Sequence, residues 1–256
     1  MAIITLTSDL GLRDHYVAML KGKILSRSPA ANLVDISHDI KAFNIQQAAF
    51  ILRNSFSYFP EQTIHLINVY ADHKKNTRCI ITQYKKHFFA GVDNGLFSLM
   101  FDADPEIIVE MPSLSTSSVF VVRDVLCDAV SDLANGKNIS ALGKTIQSLE
   151  AKTFLKPPES SDFLNGNVVY VDKFGNAVIN ITKDKFERKL QNRKYVIHCK
   201  RSNEFDEILK TYSDVPVGEK VCLFNSNGFL EIAINQGNAS QLLGLHVDDT
   251  IQIEFE

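Results

Sequence analysis

Strand-like and helix-like runs alternate over the first 150 residues of this chain, and then the alternation stops. Apolar, β-rich runs at residues 3–6, 33–36, 63–70 and 107–110 are separated by helical patterns at 14–26, 45–54, 96–101 and 124–134. Runs at 79–83 and 86–90 suit a hairpin. Ser28-Pro29, Phe59-Pro60 and Asn135-Gly136 supply the helix stops. Such alternation predicts an α/β unit, a mostly parallel sheet with flanking helices. After Glu150 only short β-rich runs recur, at 166–171, 177–181, 194–199, 220–224, 229–234 and 250–255, with turn signals between them. That pattern predicts a small β-barrel domain. Lys156-Pro157-Pro158-Glu159-Ser160-Ser161 reads as a linker. The organisation expected is an α/β domain over 1–150, a linker over 151–162 and a C-terminal β-barrel over 163–256. A length of 256 residues with 45% hydrophobic content is enough to build both cores.

A formal charge of -3 argues against a nucleic-acid footprint, which needs a basic patch. No apolar run approaches a membrane span. Residue 3 enters a strand without a basic, apolar leader, so a cytoplasmic protein is expected. The four cysteines, Cys79, Cys127, Cys199 and Cys222, are widely spaced and form no CxxC pattern. Buried free thiols are expected, and no disulfide framework. His15, His65, His87, His198 and His246 form no metal-ligand spacing, so no metal site is expected.

Chemistry concentrates in loops. Thr7-Ser8-Asp9-Leu10-Gly11-Leu12-Arg13-Asp14 follows the first strand and precedes a helix. In an open α/β sheet, ligands bind at the carboxyl ends of strands. A carboxylate there can accept both hydroxyls of a ribose diol, the role assigned to Asp9. Asp14 reads as a helix N-cap. Asp93-Asn94-Gly95-Leu96 suits a turn that caps the next helix. Asp172-Lys173-Phe174-Gly175-Asn176 suits a hairpin loop or a ligand ammonium site. Asn225-Ser226-Asn227-Gly228 and Asn235-Gln236-Gly237-Asn238 are denser in polar groups than hairpins require.

Taken in order, these segments resemble the S-adenosylmethionine-dependent fluorinases, chlorinases and hydroxide adenosyltransferases (the S-adenosylmethionine, or SAM, hydrolases). Lys21-Gly22, Val34-Asp35-Ile36-Ser37-His38, Ala48-Ala49, Tyr58-Phe59-Pro60, Thr63-Ile64-His65 and Arg123-Asp124 extend the match along nearly the whole chain. The resemblance implies a homotrimer, with sites between the N-terminal domain of one subunit and the C-terminal domain of the next. It implies SAM or adenosine as the small-molecule partner, with SAM a substrate and no cofactor. Asp9 resembles the ribose-diol carboxylate. Phe43 and Phe120 resemble the aromatic enclosure. Asp172 and Asn176 resemble the ammonium and adenine-side contacts, and Phe174 the ring on adenine. Asn94 falls among the substrate contacts. Asn225 and Ser226 resemble further ligand contacts, Ser226 towards the methionine carboxylate, and Asn235 and Gln236 fall beside the adenine edge.

The hydrolases of this family resemble one another in an Asp-Arg-His set that activates water. Here Arg78 matches, Tyr70 stands at the aspartate position, and Val121 stands at the histidine position. Tyr70 resembles the halogenases, whereas Val122 lacks the hydroxyl expected near a halide. His73 is the replacement base suggested by its place beside the nucleophile loop; the run Asp72-His73-Lys74-Lys75 equally suits a solvated loop. His38 reads as structural, and Arg123 as a packing or ion-pair residue. The expected reaction is displacement at the ribose C5′ of SAM by water, giving adenosine and methionine. The alternatives are halide-dependent adenosyl transfer and a catalytically silent SAM or adenosine sensor. A methyltransferase fits less well, because the glycine-rich first-loop fingerprint is missing.

Overall fold

Isoleucine, leucine and threonine crowd Ile3–Ser8, and the segment becomes a strand with all but its first residue buried. The computed structural model describes residues 1–71, 78–112, 119–152, 161–200 and 203–256. The linker residues Lys156 to Ser160 lie outside them. The chain divides into two compact units, Met1–Phe154 and Leu155–Glu256.

In the first unit, β1 (Ile3–Ser8), β2 (Asn32–Ser37), β3 (Ile64–Asn68), β4 (Cys79–Tyr84), β5 (His87–Val92), β6 (Ile107–Glu110) and β7 (Lys144–Ile146) form one sheet. Its order is β2-β1-β3-β5-β4-β6-β7. The first four strands of that order are parallel, and β4, β6 and β7 add an antiparallel flank. Helices α1 (Tyr16–Arg27), α2 (Ile45–Arg53), α3 (Leu96–Met100) and α4 (Cys127–Ala134) cover the sheet. Leu20 and Ile24 of α1 and Val130 of α4 share one core with Ile4 and Leu6. Ala48 and Leu52 of α2 and Phe97 of α3 share another with Ile67, Ile80 and Phe89. Side chains alternate across a strand, so these are the two faces of one sheet. The helix after β1 covers one face and the helix after β2 the other. The connections therefore diverge beyond the carboxyl ends of β1 and β3, where a crevice opens.

Asp14 is not the cap of α1. His15 occupies that position, without a side-chain cap bond, and no acidic residue lies in the first turn. The third strand also ends earlier than expected, at Asn68, because Tyr70 takes a left-handed backbone (φ 48°) that no strand accommodates. A π-helical turn, Val122–Leu126, precedes α4.

The second unit contains β8 (Phe163–Val171), β9 (Ala177–Thr182), β10 (Tyr195–His198), β11 (Glu204–Phe205), β12 (Lys220–Phe224), β13 (Phe229–Ile234) and β14 (Thr250–Phe255). Their order is β11-β10-β14-β8-β9-β13-β12, antiparallel at every pairing, and the sheet curls into a nearly closed barrel. Leu164, Val168, Ile179, Ile232, Ile251 and Ile253 fill its centre. Among the described residues, two α-helices decorate it, α5 (Lys183–Leu190) and α6 (Ala239–Leu243). Among the described residues no helix is long and apolar enough to cross a membrane.

One buried polar chain should make the first unit acid-sensitive. Thr5 Oγ1 lies 2.7 Å from His65 Nδ1, and His65 Nε2 lies 3.3 Å from His87 Nδ1. Phe56, Phe59 and Phe89 surround the His65 ring. Burial, then the charge of His87, pushes the His65 pKa down to about 3 from 6.5. The unfolded chain binds this proton first, so the stability is complete above pH 6.5 and is lost as the pH falls towards 3. The expected slope approaches about 1.4 kcal/mol per pH unit for this one group. Urea midpoints between pH 6.5 and 5 should fall for the native chain and fall less for His65→Gln; equal slopes contradict the assignment.

Candidate active site

Asp9 leaves the carboxyl end of β1 and points its carboxylate into the crevice beside β3. Its Oδ2 accepts two backbone N–H bonds, from Phe43 at 2.9 Å and from Tyr70 at 3.1 Å. Both donors have left-handed backbones, φ 67° at Phe43 and φ 48° at Tyr70. That conformation costs a side-chain-bearing residue about 1–2 kcal/mol and is concentrated at functional sites. The carboxylate offsets the cost by drawing both amides to one oxygen. The two rings then meet edge to face, with centroids 5.6 Å apart. The Phe43 ring is 68% exposed and lines a cleft of about 420 Å³ with Lys41, Asn44, Leu99 and Lys152. Asn94, at the end of β5, braces the same loop: its Nδ2 donates to the carbonyls of Val69 and Tyr70, at 3.0 and 3.1 Å. Its Oδ1 accepts from Leu96 N, while Gly95 (φ 93°) takes the cap position of α3. A carboxylate has about four acceptor sites. With both amides on Oδ2, the Oδ1 side of Asp9 keeps two acceptor sites, the number a vicinal diol needs.

Arg78 is held by its neighbours. It donates to Asp93 in a short ion pair and to the Ser148 carbonyl at 3.3 Å. The Asp93 side chain is fully buried, and Glu150 N donates to its other oxygen. Burial raises the Asp93 carboxyl above its ordinary value, with the Glu150 amide and Arg78 opposing. Asp93 is therefore the partner of Arg78 rather than a helix cap. Val121 and Val122 are core residues, packed in the same cluster as Leu20 and Ile4. Phe120 packs edge to face on Tyr16, at 6.0 Å, and under the Arg123 guanidinium. Arg123 is an ion-pair residue: it forms a two-pronged bond with Asp124, at 2.6 and 2.8 Å. His73 lies outside the described residues.

In the second unit Asp172 organises the β8–β9 loop. Its Oδ1 accepts from Phe174 N and Asn176 N, and its Oδ2 accepts from Asn176 Nδ2 at 3.0 Å. Three of about four acceptor sites are filled, which leaves one for a ligand donor. The loop presents the Phe174 ring, 75% exposed. Gly175 (φ 86°) touches Asn238 so closely that a Cβ there would lie 2.2 Å from its side chain. Ser240 N donates to the Gly175 carbonyl, so the loops carrying Phe174 and Asn235-Gln236 adjoin. Asn235 Nδ2 is spent on the Val215 carbonyl, and Gln236 takes a left-handed backbone (φ 55°).

The Asn225–Ser226 turn lies at the other end of the β12–β13 hairpin, since Phe229 pairs with Thr182 whereas Ile232 pairs with Ala177. Side chains bridge part of that separation. Asn225 Nδ2 donates to Glu231 Oε2 at 3.0 Å, and Tyr212 Oη donates to Glu231 Oε1 at 2.6 Å. Burial, then the buried Glu231, pushes the Tyr212 phenol up, and Asp172 adds to the effect. Sequence reasoning missed Glu231 and Tyr212. The signal for Glu231 was a lone carboxylate inside the apolar run Leu230-Glu231-Ile232-Ala233-Ile234, since a charge enters a core only with partners.

Comparison with known proteins converges on one group. The model of the SAM hydroxide adenosyltransferase N-terminal domain matches residues 4–143, and that of the C-terminal domain matches residues 166–252. A curated relative from Methanocaldococcus jannaschii, named (R)-S-adenosyl-L-methionine hydrolase, is 31% identical across 99% of this chain and 96% of its own. A fluorinase from an Actinoplanes strain is 24% identical across 91% of each chain. The crystal structure of an uncharacterised conserved protein from Thermotoga maritima superposes with a TM-score of 0.88 at 30% identity, covering 98% of this chain and 99% of that one. The chain belongs to the SAM hydroxide adenosyltransferase family.

Proposed function

We propose that this protein cleaves SAM at the ribose C5′ by nucleophilic displacement, with water as the nucleophile, giving adenosine, methionine and a proton. The observation that carries the reading is Asp9, with two amides on one oxygen and two acceptor sites left on the other, at the sheet's switch point. The relatives named (R)-S-adenosyl-L-methionine hydrolase, 31% and 27% identical, support the choice of substrate and nucleophile.

The ribose diol docks on Asp9 Oδ1. Phe43 and Phe120 shield the nucleoside, and Asn94 and Tyr70 shape the loop beside C5′. Asp172 takes the methionine ammonium with its remaining acceptor site. Phe174 and Asn176 meet the adenine, Asn235 and Gln236 its edge, and Asn225 and Ser226 the methionine end. These groups come from both units, and the active assembly is a homotrimer in which neighbouring subunits complete each site. Its place is the cytoplasm.

In the transition state the water oxygen bonds to C5′ as the C5′–S bond breaks, and the sulfonium sulfur departs with that electron pair as the neutral thioether of methionine. Water aligned with the C5′–S bond supplies much of the rate, because orientation replaces an improbable encounter. A base is still needed, since hydroxide is scarce at neutral pH. His73 fills that role, with Arg78 and Tyr70 lining the water's approach.

A second reading, halide-dependent adenosyl transfer, is favoured by Tyr70 and by the fluorinase relatives at 24% identity. Incubation of the purified protein with SAM, with and without chloride, separates the readings by product mass. Adenosine in both samples supports hydrolysis, 5′-chloro-5′-deoxyadenosine supports the halide reading, and saturable binding without product identifies a sensor.

A further inference from the structure

We propose that His38 is a positioning residue for the Asp9 loop, working through Ser8 and oriented from the surface by Asp35 and Lys21. The proposal rests on Asp9 as the nucleoside anchor and adds a relay behind it. Ser8 Oγ lies 2.7 Å from His38 Nδ1, and both residues are buried. His38 Nε2 lies 3.0 Å from Asp35 Oδ1, a charge contact off the line of a hydrogen bond, and Lys21 Nζ lies 2.6 Å from Asp35 Oδ2. Partial burial raises the Asp35 carboxyl, but Lys21 and His38 outweigh it and hold the carboxyl below its ordinary value.

The chemistry of each partner assigns the protons. The negative charge of Asp35 beside Nε2 favours the proton on that nitrogen. Nδ1 is then an acceptor, and the Ser8 hydroxyl must donate to it. That orientation leaves the Ser8 lone pairs facing away from the ring, where Leu10 N approaches at 3.4 Å. Leu10 is the residue after Asp9. The backbone repeats the tie: Gly11 N donates to the His38 carbonyl at 2.9 Å, and Ile40 N to the Ser8 carbonyl at 3.4 Å. The segment 38–43 is closed at its far end by Phe43 N on Asp9. Ser8 to Gly11 and His38 to Phe43 thus form one cross-tied frame, in which a single imidazole fixes the hydroxyl next to the ligand carboxylate. A Ser-His-Asp order invites a nucleophilic reading, but Ser8 is 1% exposed and its proton is committed to His38. The relay positions; it does not attack.

Two isosteres test this. In His38→Asn the amide oxygen replaces Nδ1 and can accept from Ser8, whereas in His38→Gln the amide reaches the Nε2 position and leaves Ser8 unpaired. His38→Ala and His38→Gln are each expected to raise the adenosine dissociation constant, and the KM for SAM, by about tenfold, with kcat changed much less. His38→Asn should recover most of that loss. Hydrogen exchange at the Leu10 and Phe43 amides, read without ligand, should quicken in His38→Gln and not in His38→Asn. Equal exchange and equal binding in the two isosteres would overturn the proposal. A native protein that binds no adenosine would instead overturn the reading of Asp9, and the exchange data would still decide the relay.

Discussion

Asp9→Ala is expected to raise the adenosine dissociation constant by about 100-fold or more and to abolish turnover. Two charge-assisted hydrogen bonds to the diol, each worth about 1.5–3 kcal/mol, account for that loss. The same change removes the oxygen that gathers the Phe43 and Tyr70 amides, so both left-handed residues are free to relax. Asp9→Asn separates the two jobs. Its carbonyl oxygen can stay on the amides, while its NH2 replaces the acceptor that faces the ligand. Asp9→Asn should therefore keep the thermal stability of the native chain and still lose most nucleoside affinity. Calorimetric titration with adenosine, paired with thermal melts, reads both. Native-like binding by Asp9→Asn would place the diol elsewhere.

The second large effect is expected at Arg78. Its guanidinium is the counter-charge of Asp93, whose side chain is fully buried. Arg78→Leu leaves that carboxylate unpaired, which costs about 3 kcal/mol or more. Burial already lifts the Asp93 carboxyl above its ordinary value, and loss of Arg78 lifts it further. The folded state then holds this proton at a pH where the unfolded chain has released it. The penalty therefore grows as pH rises and shrinks as pH falls. Arg78→Leu combined with Asp93→Asn should regain most of the stability, since the neutral amide needs no counter-charge. If Arg78 also orients water, the double variant stays inactive although it is folded. Recovery of native turnover would make Arg78 a purely structural residue.

Periodicity made much of the fold legible. Repeated apolar runs marked β1, β2, β6 and the β4–β5 hairpin, and the loss of helical spacing after Glu150 marked the change of architecture. Where the chain relies on partners distant in sequence, the residues alone were silent. Helix α5 offers only two apolar residues, Phe186, which is buried, and Leu190 at its end, which is partly buried, so its apolar stripe is too short to announce it. Strands β7 and β11 are three and two residues long and exist through pairing with β6 and β10. The site divides the same way. Asp9, Asp172 and Asn176 stand in loops whose position after a strand is informative by itself. The left-handed backbones of Phe43 and Tyr70 depend on a carboxylate 34 and 61 residues away, and no local signal predicts them. The Arg78–Asp93 pair, 15 residues apart, became visible only when β4 and β5 were aligned.

Reaction of the native protein with SAM in 18O-labelled water, followed by mass spectrometry of the nucleoside, tests the proposed chemistry most directly. Displacement at C5′ by water predicts adenosine two mass units heavier, carrying the label in its 5′-hydroxyl, with unlabelled methionine released in equal amount. Unlabelled adenosine, or no adenosine at all from folded protein, would contradict it.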